Sequence, residues 1–232
     1  MSIRQNFNLS AYLVIGPENT SRPVDEVVFD AVRAGFTFVQ IRSKVASARE
    51  LVEISRKSAE KIFELGKSEE VALVINDRLD IVLAARESGI KIDGIHVGQN
   101  DIPVKVCRKY LGENSIIGLS APTSKLIDYV KNADVSDIDY FGAAPLHETE
   151  SKKDLEQSAD GKIITVDFEK FSFLAKISPI PIVIGGGVKL KDLPELKKTG
   201  VDGFFVISAV TDAADTFKAA KDLVNEWTGI GD

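Results

Sequence analysis

The chain has only one cysteine, Cys107, among its 232 residues, so it cannot form a disulfide bond within itself. Cys107 closes the mostly apolar run 104–107. This run predicts a helix that turns Cys107 toward the core. We expect a structural role for this thiol rather than a catalytic one.

Long apolar stretches are also missing, and none approaches the length of a membrane-spanning segment. Gln5, Asn6, Asn8 and Ser10 stand where a signal peptide needs an apolar centre, so we expect a soluble cytoplasmic protein. The formal net charge of −6 leaves no broad basic face for nucleic acid or anionic lipid. Any positively charged site must therefore be local.

Histidine is scarce as well, with only His96 and His147 in the chain. They belong to different predicted strand units and have no serine or cysteine nucleophile partnered nearby, which argues against a hydrolase with a catalytic triad. Within its predicted strand, His96 is expected to be a buried or wall residue. His147 opens the long irregular stretch 146–163, and a loop of that length in a compact domain is often functional.

What the chain does have is a regular alternation of short β-branched runs with longer segments of helical periodicity. A hydrophobic fraction of 44% is ample for a continuous core. Strands are predicted at 12–15, 37–41, 71–75, 94–97, 116–119, 139–142, 182–184 and 203–207. Helices are predicted at 24–34, 48–65, 79–88, 103–111, 125–130, 168–177, 191–198 and 216–227.

Eight such units predict an α/β fold of the TIM (β/α)8-barrel type, as a single catalytic domain over residues 11–229 after a polar leader at 1–10. An open doubly wound sheet is the alternative. It is less favoured because no glycine-rich dinucleotide-binding motif follows the first strand. At the start of the sixth helix, Thr165 is the expected N-cap.

In a barrel, the carboxyl ends of all strands converge on one mouth, even when they lie far apart in sequence. Asp77 and Asp101 follow neighbouring predicted strands. Such a carboxylate pair can hold Mg²⁺ while water and substrate phosphates complete its coordination. For Asp77 alone, a helix-capping role is the alternative.

Cations and glycines at other strand ends predict two anion-binding sites. Arg42 and Lys44 alternate along an extended segment, which places both side chains on the same side, and Lys152 from the long loop could join them. A surface salt bridge is the alternative for either cation. The glycine triplet at 185–187, with Ser208 after the eighth strand, predicts a phosphate site, although a triplet can also be a simple tight turn.

These strand-end motifs also carry a family resemblance. They are QIRSK at 40–44, INDR at 75–78, HVGQND at 96–101, TESKKD at 149–154 and VISA at 206–209. On these motifs the chain, from about Tyr12 to Trp227, resembles the thiamine-phosphate synthase family. The resemblance implies a TIM-barrel transferase that uses Mg²⁺. Such an enzyme joins 4-amino-2-methyl-5-hydroxymethylpyrimidine diphosphate to a thiazole phosphate, or to its carboxylate form, and releases diphosphate and thiamine phosphate.

The resemblance also implies roles for individual residues. Asp77 and Asp101 match the metal-binding positions. The positions that surround the pyrimidine diphosphate correspond to Gln40, Arg42, Lys44, Asn76, Ser120 and Lys152. Those around the thiazole phosphate correspond to Thr149, Ser151, Gly186, Ile207 and Ser208. The predicted catalytic residues are Arg42, Lys44, Ser120 and Lys152.

Some positions depart from the family pattern, namely Pro122, Ala144, Gly187 and the pair His147 and Glu148. They bear on affinity and loop closure more than on the class of reaction. A thiazole tautomerase-like relative and a noncatalytic binder of phosphorylated ligands are the alternative functions. The expected partners are small phosphorylated molecules, with no nucleic acid or membrane, and a homo-oligomer is left open.

Overall fold

A computed structural model describes residues 3–149, 156–158 and 160–230. Its eight strands are all parallel and close into a barrel, because β8 pairs with β1 as well as with β7. The predicted TIM barrel is therefore confirmed, and the open sheet is wrong. The strands are β1 Ala11–Ile15, β2 Phe38–Ile41, β3 Ala72–Asn76, β4 Gly94–Val97, β5 Ile116–Ser120, β6 Tyr140–Ala143, β7 Ile182–Ile184 and β8 Gly203–Val206.

Helices alternate with the strands around the outside of the barrel. They are α1 Val24–Ala34, α2 Ala48–Glu64, α3 Leu79–Glu87, α4 Val104–Leu111, α5 Leu126–Asn132, α6 Phe168–Ile177, α7 Leu193–Lys198, α8 Ser208–Thr211 and α9 Thr216–Thr228. Short 3-10 helices cover Ile3–Gln5, Pro17–Asn19 and Leu190–Asp192. Within the described ranges, none of these helices has both the length and the apolar character needed to cross a bilayer.

The start of α6 and the presence of α8 differ from the sequence prediction. The side chain of Asp167 caps α6 by accepting a hydrogen bond from the backbone N–H of Lys170 at 2.8 Å. Thr165 lies before the cap position, so its predicted capping role is wrong. The short helix α8 was not predicted, because four residues are too few to show helical periodicity.

Two apolar cores hold the barrel together, one on each face of the sheet. Inside the barrel, alternate strand residues such as Tyr12, Phe38 and Tyr140 pack against one another. The intervening residues, among them Leu13 and Phe141, pack against the surrounding helices. This is the two-residue periodicity of a sheet that is buried on both faces.

Aspartates just before the even-numbered strands tie neighbouring strands together at the amino end of the barrel. Asp93 accepts a hydrogen bond from the backbone N–H of Leu73 at 2.8 Å. Asp139 does the same for Ile117 at 2.7 Å, and Asp202 for Ile182 at 2.8 Å. These carboxylates lie at the end of the barrel opposite the strand-end motifs.

Candidate active site

The carboxyl ends of the strands surround two adjoining pockets. They are a central pocket and a side pocket, and both are partly open to solvent. Both are lined by Ser120, Gly142, Ala144 and Phe205, so they share a wall. The central pocket gathers most of the described predicted site residues: Gln40, Arg42, Asn76, Ser120, Thr149, Gly186, Ile207 and Ser208. The side pocket adds Lys44, Asp101 and Glu156.

An acidic pair lies beside the side pocket. Asp77 follows β3 directly and receives an ion pair from Lys44, with Nζ and Oδ2 2.6 Å apart. Its other neighbour is the carboxyl group of Asp101, whose Oδ2 accepts a hydrogen bond from the backbone N–H of Gly98 at 2.8 Å. Burial raises the pKa of Asp77 above its ordinary value; Lys44 lowers it in part, and the Asp101 carboxyl raises it further.

This pair suits a hard divalent cation. Two carboxylates beside a single lysine repel each other, and an added positive charge reduces this repulsion. Carboxylate oxygens are also ligands that Mg²⁺ prefers. Among the described residues, no three histidine, cysteine, aspartate or glutamate side chains are placed so that they could hold one metal ion together. Phosphate oxygens and water would therefore supply the remaining ligands, as is usual for Mg²⁺.

The alternative capping role of Asp77 is wrong. The N-cap residue of α3 is Arg78, and no side chain accepts a capping hydrogen bond there. Asp77 instead adopts a left-handed backbone conformation with φ of 60°. Its N–H donates to the carbonyl of His96 at 2.8 Å, which holds the end of β3 against β4.

The loop after β2 carries both predicted cations to the mouth of the barrel. Arg42 lines the central pocket and Lys44 lines the side pocket. Glu18 fixes this loop by accepting hydrogen bonds from the Ser43 hydroxyl at 2.8 Å and from the Lys44 N–H at 2.9 Å. Gly16 lets the two loops approach, because a Cβ there would lie 1.8 Å from the carbonyl oxygen of Arg42.

The glycine triplet after β7 lines the far side of the central pocket. Gly186 has φ of 75°, and its carbonyl oxygen accepts a hydrogen bond from the N–H of His147 at 3.0 Å. The N–H groups of Gly186 and Gly187 donate no hydrogen bond to any described residue. The triplet is thus a turn that also presents backbone donors near Ser208, at the start of α8.

A row of hydrogen-bonded side chains forms the floor of the central pocket. Tyr12 accepts a hydrogen bond from Gln40 and lies 2.9 Å from Tyr140, oxygen to oxygen. Tyr140 contacts His96 Nδ1 at 2.9 Å, and His96 Nε2 contacts the Ser120 hydroxyl at 2.9 Å. The expectation that His96 is a buried wall residue is confirmed, since its exposed fraction is 8%. The expectation that no serine is partnered with it is wrong, because barrel closure brings Ser120 of β5 beside it.

Sequence reasoning missed Tyr12, Tyr140 and Phe205 as residues of this region. Each occupies an inward-facing strand position, and the two-residue alternation of β1, β6 and β8 is the signal that could have found them. Phe205 stands between the two pockets and fills the space beside Gly185, where a Cβ would lie 2.1 Å from its ring. Two other predicted residues, Ser151 and Lys152, fall outside the described residues.

The fold and these pockets define a (β/α)8-barrel protein with an acidic pair, two cations and a glycine loop at the carboxyl ends of its strands. The family model described as thiamine monophosphate synthase matches residues 11–210. The chain belongs to the thiamine monophosphate synthase family.

Individual relatives agree with this assignment. The thiamine-phosphate synthase of Corynebacterium efficiens is 34% identical over 230 residues, which covers 99% of both chains. That of Moorella thermoacetica is 38% identical and covers 87% of both chains. The solved structure of thiamine phosphate pyrophosphorylase from Pyrococcus furiosus superimposes with a TM-score of 0.76 at 28% identity, covering 96% of this chain and 98% of that one.

Proposed function

We propose that this protein is a thiamine-phosphate synthase. It joins 4-amino-2-methyl-5-hydroxymethylpyrimidine diphosphate to 4-methyl-5-(2-phosphoethyl)thiazole, or to its carboxylate form. The products are thiamine phosphate and diphosphate. The observation that carries the proposal is the pair of adjoining pockets. Carboxylates and a lysine lie beside one, and beside the other lie glycine N–H groups that donate to none of the described residues. A pair of substrates, one with a diphosphate and the other with a phosphate, matches this layout.

The diphosphate is assigned to the side pocket. Lys44 and Arg42 supply positive charge, and Lys152 is proposed to add a third cation from the long loop. Asp77 and Asp101 are the proposed ligands of Mg²⁺, which when bound supplies Lewis-acid neutralisation of the diphosphate oxygens. Without a counterion, the two carboxylates would repel a diphosphate rather than bind it.

The bond that breaks is the one between the pyrimidine methylene carbon and the diphosphate oxygen, and its electron pair leaves with the diphosphate. The electron-rich aminopyrimidine shares the positive charge left on the methylene carbon. The ring nitrogen of the thiazole then donates its lone pair to that carbon and becomes the thiazolium nitrogen of thiamine phosphate. This substitution requires no protein nucleophile, so the Ser120 hydroxyl beside His96 Nε2 is not needed as one.

The thiazole phosphate is assigned to the opposite side of the central pocket. Its oxygens can accept hydrogen bonds from the N–H groups of Gly186 and Gly187 and from the Ser208 hydroxyl, while Thr149 and Ser151 are proposed to complete this site. Backbone donors that face a ligand cost little to reorganise. The turn that carries them follows β7 directly, and its carbonyl groups accept hydrogen bonds from the N–H groups of Leu146 and His147.

Incubation of the protein with Mg²⁺ and the two phosphorylated substrates tests this function, with thiamine phosphate measured by mass spectrometry. We expect product with the wild type and with Asp222→Ala, a control on the outer helix α9. We expect Asp101→Ala to retain its fold and to lose at least about 100-fold in kcat, the loss typical of an electrostatic contact to the transition state.

Absence of product at high enzyme concentration would overturn the proposal. If the protein then bound thiamine phosphate tightly without turnover, it would be a noncatalytic binder. Proton exchange into a thiazole carboxylate phosphate would instead identify a tautomerase. Normal turnover by Asp101→Ala would contradict the metal assignment alone.

A further inference from the structure

Five side chains from five different strands or strand ends form one continuous hydrogen-bonded row across the barrel. In order they are Gln40, Tyr12, Tyr140, His96 and Ser120. Both ends, Gln40 and Ser120, line the central pocket, as do Tyr12 and His96, whereas Tyr140 is fully buried. A row that starts and ends at the same ligand pocket couples two groups that touch the ligand.

The direction of every hydrogen bond in the row follows from its first member. The Gln40 Nε2 atom can only donate, so the Tyr12 oxygen accepts and must pass its own proton to the Tyr140 oxygen. Tyr140 in turn donates to His96 Nδ1. A neutral imidazole then carries its proton on Nε2 and donates it to the Ser120 oxygen.

Both tyrosines keep the protons that this order needs. Burial raises the pKa of the Tyr12 phenol and of the Tyr140 phenol, and their ring contacts leave little room for water. Since a buried hydroxyl without a hydrogen-bond partner is unfavourable, each phenol donates to the one partner that can take its proton. All hydrogen bonds in the row therefore point the same way, from Gln40 toward Ser120.

This direction determines what the pocket offers to a ligand. The Ser120 oxygen already accepts from His96, so its own proton is available to the pocket. The Oε1 atom of Gln40 accepts no hydrogen bond from any residue in the described ranges. We infer that Tyr12, Tyr140 and His96 are positioning residues that make Ser120 a hydrogen-bond donor and the Gln40 carbonyl an acceptor toward the substrate.

A ligand that fits must bring a donor to Gln40 and an acceptor to Ser120. Resting on the proposed function, the aminopyrimidine half of the substrate has such a pattern, with amino N–H groups as donors and ring nitrogens and phosphate oxygens as acceptors. If the amide of Gln40 were reversed, every bond in the row would reverse with it. The imidazole proton would then lie on Nδ1, so the tautomer of His96 reports the direction.

The direct test is ¹⁵N NMR of the ligand-free protein with labelled histidine, recorded at about pH 8, above the ordinary histidine pKa of about 6.5. The chain has only two histidines, and a His147→Gln variant assigns the remaining ring signals to His96. We expect the Nε2–H tautomer of His96 in the wild type. In Tyr140→Phe, which removes the donor to Nδ1 and keeps the ring, we expect a tautomer mixture.

An Nδ1–H tautomer in the folded wild type would overturn the inference, as would an unchanged His96 spectrum in Tyr140→Phe. Tyr110→Phe is the control, because that hydroxyl is on the exposed surface of α4. If Tyr140→Phe fails to fold, Tyr12→Phe interrupts the same row one step earlier. The outcome does not depend on turnover, so it stands even if the protein makes no thiamine phosphate.

A kinetic cycle tests whether the row acts through Ser120. We expect Tyr140→Phe to lower kcat/KM for the pyrimidine diphosphate about tenfold, as expected for one weakened hydrogen bond at a site. In the Ser120→Ala background, the same substitution should change kcat/KM less than about twofold, because the group it positions is gone. Effects that multiply fully in the double variant would contradict a shared role.

Discussion

Asp77 shows, at the scale of one residue, how a binding site costs stability. Its backbone has φ of 60°, a conformation that few residues other than glycine, asparagine and aspartate tolerate. Burial and the neighbouring Asp101 carboxyl both disfavour the charged form of the Asp77 side chain. A residue selected only for stability would avoid both features, and their presence at a strand end favours a ligand-binding role.

Asp77→Asn is expected to stabilise the metal-free protein at neutral pH. The folded-state pKa of Asp77 is raised, so its contribution to stability is present at low pH and is lost as pH rises through that pKa. Asparagine tolerates the same backbone and carries no charge. We expect its Tm at pH 7 to exceed that of the metal-free wild type.

Thermal melts at pH 4 and pH 7, with and without Mg²⁺, check this expectation. The difference between the two proteins should be larger at pH 7, and Mg²⁺ should raise the Tm of the wild type but not that of the variant. A variant that melts below the metal-free wild type at pH 7 would show that the Lys44 ion pair outweighs burial.

The loop after β7 is the element that places the backbone donors of the thiazole phosphate site. A Cβ on Gly186 would lie 2.4 Å from the Cβ of Pro145, so Gly186→Ala must shift the loop. We expect KM for the thiazole phosphate to rise at least about tenfold, together with a loss of stability of about 1–3 kcal/mol from the positive φ. Steady-state kinetics and urea unfolding measure the two effects.

Gly89 supplies the matched control for this loop. It has nearly the same φ, 76°, but a Cβ there would have no atom within 4 Å. Gly89→Ala should therefore lower stability through the backbone alone and leave KM unchanged. Equal KM values for the wild type and Gly186→Ala would show that this loop does not bind the thiazole phosphate.

Elements with strong periodicity could be predicted from the sequence, and those set by single contacts could not. The eight strands and the long helices repeat apolar residues often enough to be recognised. Helix α8 is too short for that, and the cap of α6 depends on one carboxylate, Asp167, instead of the nearby Thr165. The row through Tyr12 and Tyr140 depends on barrel closure, because β1 and β6 are far apart in sequence and not adjacent in the sheet.

At the scale of the whole molecule, the barrel separates stability from ligand binding. Its amino end is closed by Asp139, which pairs with Arg108 at 2.8 Å and with Arg4 at 2.7 Å. The Arg108 side chain is only 6% exposed. Removal of Asp139 would leave this buried guanidinium without its carboxylate counter-ion, with only backbone carbonyls as partners, at the end of the barrel opposite the pockets.

Asp139→Ala should therefore lower the free energy of unfolding by about 3–5 kcal/mol and leave kcat/KM of the folded enzyme unchanged. Glu113→Ala is the control, because Glu113 pairs with Arg4 at the exposed surface and should cost less than about 1 kcal/mol. Urea unfolding and initial rates give both quantities. A large loss of kcat/KM in Asp139→Ala would show that the two ends of the barrel are coupled.

The central claim is that the diphosphate group binds at the acidic pair while the thiazole phosphate binds at the glycine loop, in two adjoining pockets. Its most direct measurement is a crystal structure with Mn²⁺, diphosphate and thiamine phosphate, in which anomalous scattering locates the metal. We predict Mn²⁺ bound to oxygens of Asp77 and Asp101, and the phosphate of thiamine phosphate hydrogen-bonded to the N–H groups of Gly186 and Gly187. A metal bound away from both carboxylates, or a phosphate group outside the central pocket, would contradict the account.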